Sequence, residues 1–277
     1  MIKTPLSTAI GGAFWTPGCT IIGGNTQSFS QLIKKLFANG EQGFAYDPND
    51  LTTMFQDAAG TVPVTGAGQS VGLILDKSGR GNHARQTTSA SRPILRQNAT
   101  TGAYYLEFDG SDDFLVTNSI DFTGTNEVSL FAGVRKLSDV GNQLIVELSS
   151  NADVLGMAFK LSTESNGSTY FVVKGTSPSF IGRVDKSPVT LTFAAKASFS
   201  PSRISLNVNG NTLSPKTDSM GSGNFGNYPL YIGRRAGTSL PFNGHIYSLI
   251  CIGRLTTDAE TTAIEKELAK RTGVTLS

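Results

Sequence analysis

Five oxygen-bearing side chains, set in two Gly-punctuated turns, are the residues of this sequence best typed for ion chemistry. Asp76 and Asn82 lie in Asp76-Lys77-Ser78-Gly79-Arg80-Gly81-Asn82-His83, and Asp109, Asp112 and Asp113 in Phe108-Asp109-Gly110-Ser111-Asp112-Asp113-Phe114. Carboxylate and amide oxygens are what a hard cation such as Ca2+ takes as ligands. The same residue types also cap turns, because Asp and Asn side chains bond the backbone two residues on, and that is the preferred reading. Ca2+ is therefore the one cofactor to consider. The first turn is not an EF-hand: Arg80 occupies a ligand position, and Thr87 stands where the bidentate Glu belongs.

Catalytic patterns are present only by letter. Gly68-Gln69-Ser70-Val71-Gly72 spells a nucleophile elbow, but that device needs a helix directly after the Ser, and Val71 to Leu75 reads as strand. Gly221-Ser222-Gly223-Asn224-Phe225-Gly226 spells a dinucleotide loop, yet a strand follows it where a helix is required. A retaining glycosidase uses paired carboxylates on alternate strand positions; no Glu-x-Asp-x-Glu string occurs, and Glu107 and Asp109 share one strand face, but Asp109 reads as part of the turn. His83 and His245 have no Cys or acidic partner at zinc spacing. Four tyrosines, Tyr104, Tyr170, Tyr228 and Tyr231, could offer ring faces to the apolar C–H surface of a sugar; core or sheet packing explains them equally well. The expectation is a protein that holds a ligand and does not convert one.

The elements that must position these residues are mostly strands. Tyr104-Leu106-Phe108, Val128-Leu130-Ala132-Val134, Leu144-Val146-Leu148, Val189-Leu191-Phe193 and Ile204-Leu206-Val208 alternate apolar with polar, the period of a half-buried strand. Asn209-Gly210 suits a type I′ hairpin turn. From Gly43 to about Gly253 no helical period intervenes, so the pattern predicts a sandwich of two antiparallel sheets of jelly-roll type rather than a parallel α/β sheet.

Helices are expected at the two ends. Ser28 and Gln31 form a capping box ahead of the stripe Leu32, Ile33, Leu36 and Phe37, and Asn39-Gly40 stops that helix near Ala38. The stripe must bury against something: the sandwich itself, or sister subunits. Thr257 and Glu260 form a second capping box, Ala259, Ala263, Ile264 and Leu268 give an apolar face, and Gly273 ends the helix. Residues 1–27 carry Phe14-Trp15 and Ile21-Ile22 as apolar islands, including the only Trp. They read as an extended arm that docks on a partner or on its own domain, in preference to a floppy tail. Phe14, Trp15, Ile21, Ile22, Leu32, Ile33, Leu36 and Phe37 are accordingly the candidate assembly residues. The division expected is an arm and anchoring helix over 1–42 and a β domain with its C-terminal helix over 43–277.

Composition narrows the partners. With 23 Lys+Arg against 21 Asp+Glu, a net charge of +2 and no basic run, a nucleic-acid partner is not expected. No apolar stretch approaches a membrane span, and Met1-Ile2-Lys3-Thr4-Pro5 does not open a secretory signal, so neither membrane nor export is expected. Cys19 and Cys251 are read as two thiols rather than a disulfide.

Three strings carry a resemblance. Asp76 to Ala84, then Tyr105 to Phe114, then Pro241-Phe242-Asn243-Gly244-His245-Ile246 with Arg254-Leu255-Thr256-Thr257-Asp258-Ala259-Glu260 resemble, in order and spacing, the signature elements of concanavalin A-like/laminin-G-like β-sandwich domains. The lead Tyr46-Asp47-Pro48-Asn49-Asp50-Leu51-Thr52-Thr53-Met54-Phe55-Gln56-Asp57 resembles that of sandwich proteins encoded by tailed bacteriophages, with Phe44 where Trp is expected. The resemblance implies a non-enzymatic virion structural protein, a tail or tail-fibre component synthesised in the host cytoplasm. Its implied partners are other virion proteins, sister subunits in a homo-oligomer such as a trimer, and host-surface glycan. A capsid decoration or head-fibre protein, a free lectin-like module and a glycan-degrading enzyme are the competing readings.

Overall fold

The computed structural model describes residues 8–10, 13–15, 28–149 and 157–277. A hairpin of β1 (Thr8–Ile10) and β2 (Ala13–Trp15) precedes helix α1 (Phe29–Leu36). There follow β3 (Gly43–Tyr46), β4 (Met54–Phe55), β5 (Leu73–Ile74), β6 (Ala84–Arg85), β7 (Ile94–Gln97), β8 (Tyr104–Asp109), β9 (Leu115–Asp121) and β10 (Glu127–Lys136). Next come β11 (Gln143–Leu148), β12 (Ala158–Thr163), β13 (Ser168–Lys174), β14 (Pro178–Val184), β15 (Val189–Phe199) and β16 (Ser202–Val208). The chain closes with β17 (Asn211–Thr212), β18 (Asn227–Ile232), β19 (Asn243–Ile252) and helix α2 (Asp258–Thr272). Two 3-10 turns, Leu51–Thr53 and Ser89–Ser91, interrupt the strands.

Two antiparallel sheets face each other. Sheet I has the order β17-β16-β15-β10-β19-β8-β7, with β3 also paired to β19; sheet II has the order β14-β13-β12-β11-β18-β9-β6-β5-β4. Sequence neighbours such as β10 and β11 lie in opposite sheets, so the chain crosses the sandwich repeatedly, as a jelly roll does. The alternation expected from the sequence selects the inner faces: Leu106, Phe108, Val128, Leu130, Val134, Leu191, Phe193, Ile204, Leu206 and Val208 all lie in the main core. In β11 the register shifts between Leu144 and Val146, which turns Ile145 as well as Val146 into that core. Asn209 (φ 52°) and Gly210 (φ 82°) make the tight turn from β16 to β17.

Both helices start where the sequence places them; α2 stops there too, while α1 ends at Leu36, two residues before Ala38. Ser28 and Thr257 each complete a capping box, with Gln31 and Glu260, and Gly273 ends α2 at φ 76°. They form a layer on the outer face of sheet I. Phe29, Leu32, Ile33, Leu36 and Phe37 pack with Ala45, Phe131, Ala194, Ile250, Ile252, Ile264 and Leu268 in a second core cluster. Leu32, Ile33, Leu36 and Phe37 are 1–7% exposed within their own chain, so most of their apolar surface is covered by α2 and sheet I. Ala259 is exposed rather than part of the α2 seam. Phe14 and Trp15 belong to β2, which pairs with β1; Ile21, Ile22 and Cys19 lie outside the described residues. Cys251 is buried and has no disulfide partner among the described residues. Among the described residues no helix is long and apolar enough to cross a membrane.

Candidate functional site

The acidic turn sits at the end of β8. Oxygens of Asp109, Asp112 and Asp113 lie within 4.8 Å of one another. Each is engaged by the turn. Asp109 Oδ1 accepts from Ser111 N at 2.7 Å, Asp113 Oδ2 accepts from Asp109 N at 3.0 Å, and Asp112 Oδ2 accepts from Ser91 Oγ at 2.6 Å. Burial, reinforced by the neighbouring carboxylates, pushes Asp113 up to about 6.

Asp76 and Asn82 do not join this group. Asp76 is buried and accepts four hydrogen bonds: from Ala45 N (2.9 Å) and Ser78 N (2.9 Å) at Oδ1, and from Ser78 Oγ (2.6 Å) and Asn82 N (3.0 Å) at Oδ2. Asn82 donates through Nδ2 to Gly43 O (2.7 Å) and Gln42 Oε1 (2.9 Å), and His83 Nδ1 accepts from Asp76 N at 3.0 Å. Ala45 pairs with Ile250 and Asp109 with Asn243, so the two turns flank opposite ends of β19, about 20 Å apart at the rise of a strand. The first turn staples β3 to the chain that follows β5.

The four candidate tyrosines do not form one platform. Tyr104 is half-buried and packs against the main core, with its N–H bonded to Asn49 Oδ1 at 2.9 Å. Tyr228 also packs against that core. Tyr231 is on the outer face of sheet II, in register with Glu147 and Val116. Tyr170 stands edge-on to Phe180 at 5.4 Å, three strands from β18, or about 14 Å. Tyr105 is a further tyrosine, outside the four candidates. It points away from the core, as the alternation of Tyr104, Leu106 and Phe108 already required, and stacks on His245 at 4.1 Å and 18°. Burial holds the His245 imidazole down at about 4, so that ring is neutral.

Neither spelled catalytic motif gains its structure. Strand β5, not a helix, follows Ser70, and strand β18 follows Gly226.

The concavity with convergent polar groups lies where α2 passes over the outer face of sheet I. This groove of about 550 Å³ is walled by Arg203, Ser205 and Asn207 of β16 with Thr212 of β17, and on the other side by Asp258, Thr262 and Glu265 of α2; Ala194 and Lys196 of β15 form its floor. The register explains the opening. Asn207 is paired with Ala194, whose small side chain leaves space beneath the helix. Glu265 is only 7% exposed, and its Oε1 accepts from Asn207 Nδ2 at 3.2 Å. Burial raises the Glu265 carboxyl above its ordinary range, with Asn207 and Lys196 opposing the rise. Lys196 Nζ donates to Thr256 O at 2.7 Å and lies 3.8 Å from Asp258; burial lowers its ammonium. The groove offers hydroxyl, amide, carboxylate and guanidinium groups together, the mixed inventory that a polyhydroxylated ligand can satisfy. A larger cleft of about 690 Å³, between Leu32 of α1, Ala263 and Ala269 of α2, and Val274 and Leu276, is mainly apolar.

No protein-family model matches the chain, and no curated protein sequence does. Solved structures do match in fold. The structure titled as cell entry of botulinum neurotoxin type C through two ganglioside molecules superposes with a TM-score of 0.55 at 13% identity, covering 83% of this chain and 52% of that one. The binding domain of botulinum neurotoxin serotype G gives a TM-score of 0.56 at 10% identity, covering 71% and 49%. The binding domain of botulinum neurotoxin DC in complex with SialylT gives 0.52 at 12% identity, covering 70% and 48%. The likeness is one of fold. The chain spans about half the length of these solved chains.

Proposed function

We propose that this chain is a non-catalytic, carbohydrate-binding sandwich carried on a bacteriophage virion, in the tail or a tail fibre. The observation that carries the binding half is the polar groove beside α2, where a buried carboxylate, an amide, hydroxyls and a guanidinium converge on one open concavity. The fold likeness to two botulinum neurotoxin structures, one described with two ganglioside molecules and one in complex with SialylT, supports the same half. The virion half rests on the phage-like lead from Tyr46 to Asp57. In this reading the arm over residues 1–27 docks on neighbouring virion proteins or sister copies, and the sandwich faces host-surface glycan.

Incubation of the intact chain with host-surface polysaccharide is expected to give retention on the polysaccharide without release of oligosaccharide. Release would make the protein an enzyme. Labelling the chain in intact particles tests the location: signal on the tail supports the proposal, and signal on the shell points to a capsid decoration or head fibre. Because α1 belongs to the core, a truncation meant to remove only the arm ends at residue 27. That variant is expected to fold and bind glycan but to fail to enter particles.

A further inference from the structure

The groove beside α2 carries a more specific reading, which rests on the carbohydrate-binding proposal above. Its two ends differ. At one end Asn207 and the buried Glu265 meet, Asn207 Nδ2 donating to Glu265 Oε1 at 3.2 Å. A carboxylate at that end repels any other anion there. Sugar hydroxyls suit it, since a hydroxyl can donate to the carboxylate while a neighbour accepts from the amide.

The other end is cationic. Arg203 and Asn207 share the outward face of β16 with Ser205 between them, which sets them about 13 Å apart. Two basic groups line the groove, and only one is engaged. Lys196 is held by Thr256 O and lies near Asp258, whereas exposed Arg203 has no hydrogen bond or ion pair among the described residues. A guanidinium in that state is ready to take a carboxylate through two parallel hydrogen bonds.

We propose that the groove binds an acidic oligosaccharide, with ring hydroxyls on Glu265 and Asn207 and a sugar carboxylate on Arg203. The polarity is fixed: an acidic unit in the opposite direction would set its carboxylate against Glu265.

The test is calorimetric titration of the full chain with a panel of uronate- and sialate-bearing oligosaccharides and their carboxyl-reduced counterparts. Acidic members are expected to bind, with reduction weakening them about tenfold or more, the scale of one charge-assisted hydrogen bond. Arg203→Ala, at an exposed position, is expected to abolish that preference without changing the melting temperature. Ser205→Tyr is expected to block binding of both forms. If Ser205→Tyr, still folded by its melt, binds as the wild type does, the ligand lies elsewhere and this inference falls, while carbohydrate binding stands. Equal affinity for acidic and reduced sugars would overturn the carboxylate assignment. If the wild type binds neither the panel nor host polysaccharide, the carbohydrate-binding reading itself fails.

Discussion

Arg254 grips Glu260 through two hydrogen bonds of 2.8 Å, Nη1 to Oε2 and Nη2 to Oε1. The same guanidinium donates from Nε to Glu41 Oε1 at 3.0 Å and from Nη2 to Leu36 O at 3.0 Å. One side chain thus joins the first turn of α2, the last turn of α1 and the segment entering β3. Arg254→Ala leaves two carboxylates and a helix-end carbonyl without this donor. It is expected to cost about 2–3 kcal/mol, read as a lower urea midpoint at unchanged m-value.

That contact also sets an acid limb. Hydrogen bonding to Arg254 holds the Glu260 carboxyl down at about 2, against an ordinary value of 4.5. The folded pKa is depressed, so its stabilisation is full above the unfolded value and is lost as pH falls through the folded one. Wild-type stability is expected to decline between about pH 4.5 and 2. Arg254→Ala should flatten this limb in denaturation curves across that range; an unchanged slope would count against the assignment.

Asp113 acts in the opposite sense. Its folded pKa of about 6 lies above the ordinary 3.8, so its contribution is full below 3.8 and is lost as pH rises through 6. Asp113→Asn keeps an acceptor for the Asp109 N–H and removes the charge. The variant is expected to melt at or above the wild-type temperature at pH 7, and to lose the wild-type gain seen on acidification from about pH 6 to 4. Melting curves across that interval decide it.

Asp76 gathers four donors from three residues in a buried turn. Asp76→Ala strands the N–H groups of Ala45 and Asn82 and loosens β3 from β19. A loss of about 3 kcal/mol or more is expected, with hydrogen exchange in β3 rising ahead of exchange in β10.

Gly182 lies directly opposite Tyr170 across β13 and β14. A Cβ at that position would fall 2.1 Å from Thr169 O and 2.6 Å from the Tyr170 ring. Gly182→Ala must push the ring and the β14 edge aside, at about 1–3 kcal/mol. A fall in the thermal midpoint would show it, and a neutral result would mean that Thr169 O and the Tyr170 ring do not approach the glycine this closely.

The local devices of this fold were legible because they are written in short range. Capping boxes join residues three apart, so Ser28 with Gln31 and Thr257 with Glu260 announced both helix starts. Period-two alternation marks the inner face of sheet I, whereas in β11 of sheet II the register shift after Leu144 breaks it. With Tyr104, Leu106 and Phe108 turned inward, the same alternation requires Tyr105 to face out. The fate of the α1 stripe was not legible. An amphipathic helix declares that it must be covered and says nothing about by what, and here the cover is α2 with sheet I.

The sequence by itself determined the elements, the sandwich class and the turn chemistry, because propensity, periodicity and capping act over a few residues. The tertiary structure decided which of the polar residues meet. It separated Asp76 from Asp109 along β19, and it brought Glu265, on a helix, onto Asn207, on a distant strand, with Ala194 small enough beneath them to leave a groove. Those encounters depend on strand order and register, which arise only when the whole sandwich closes.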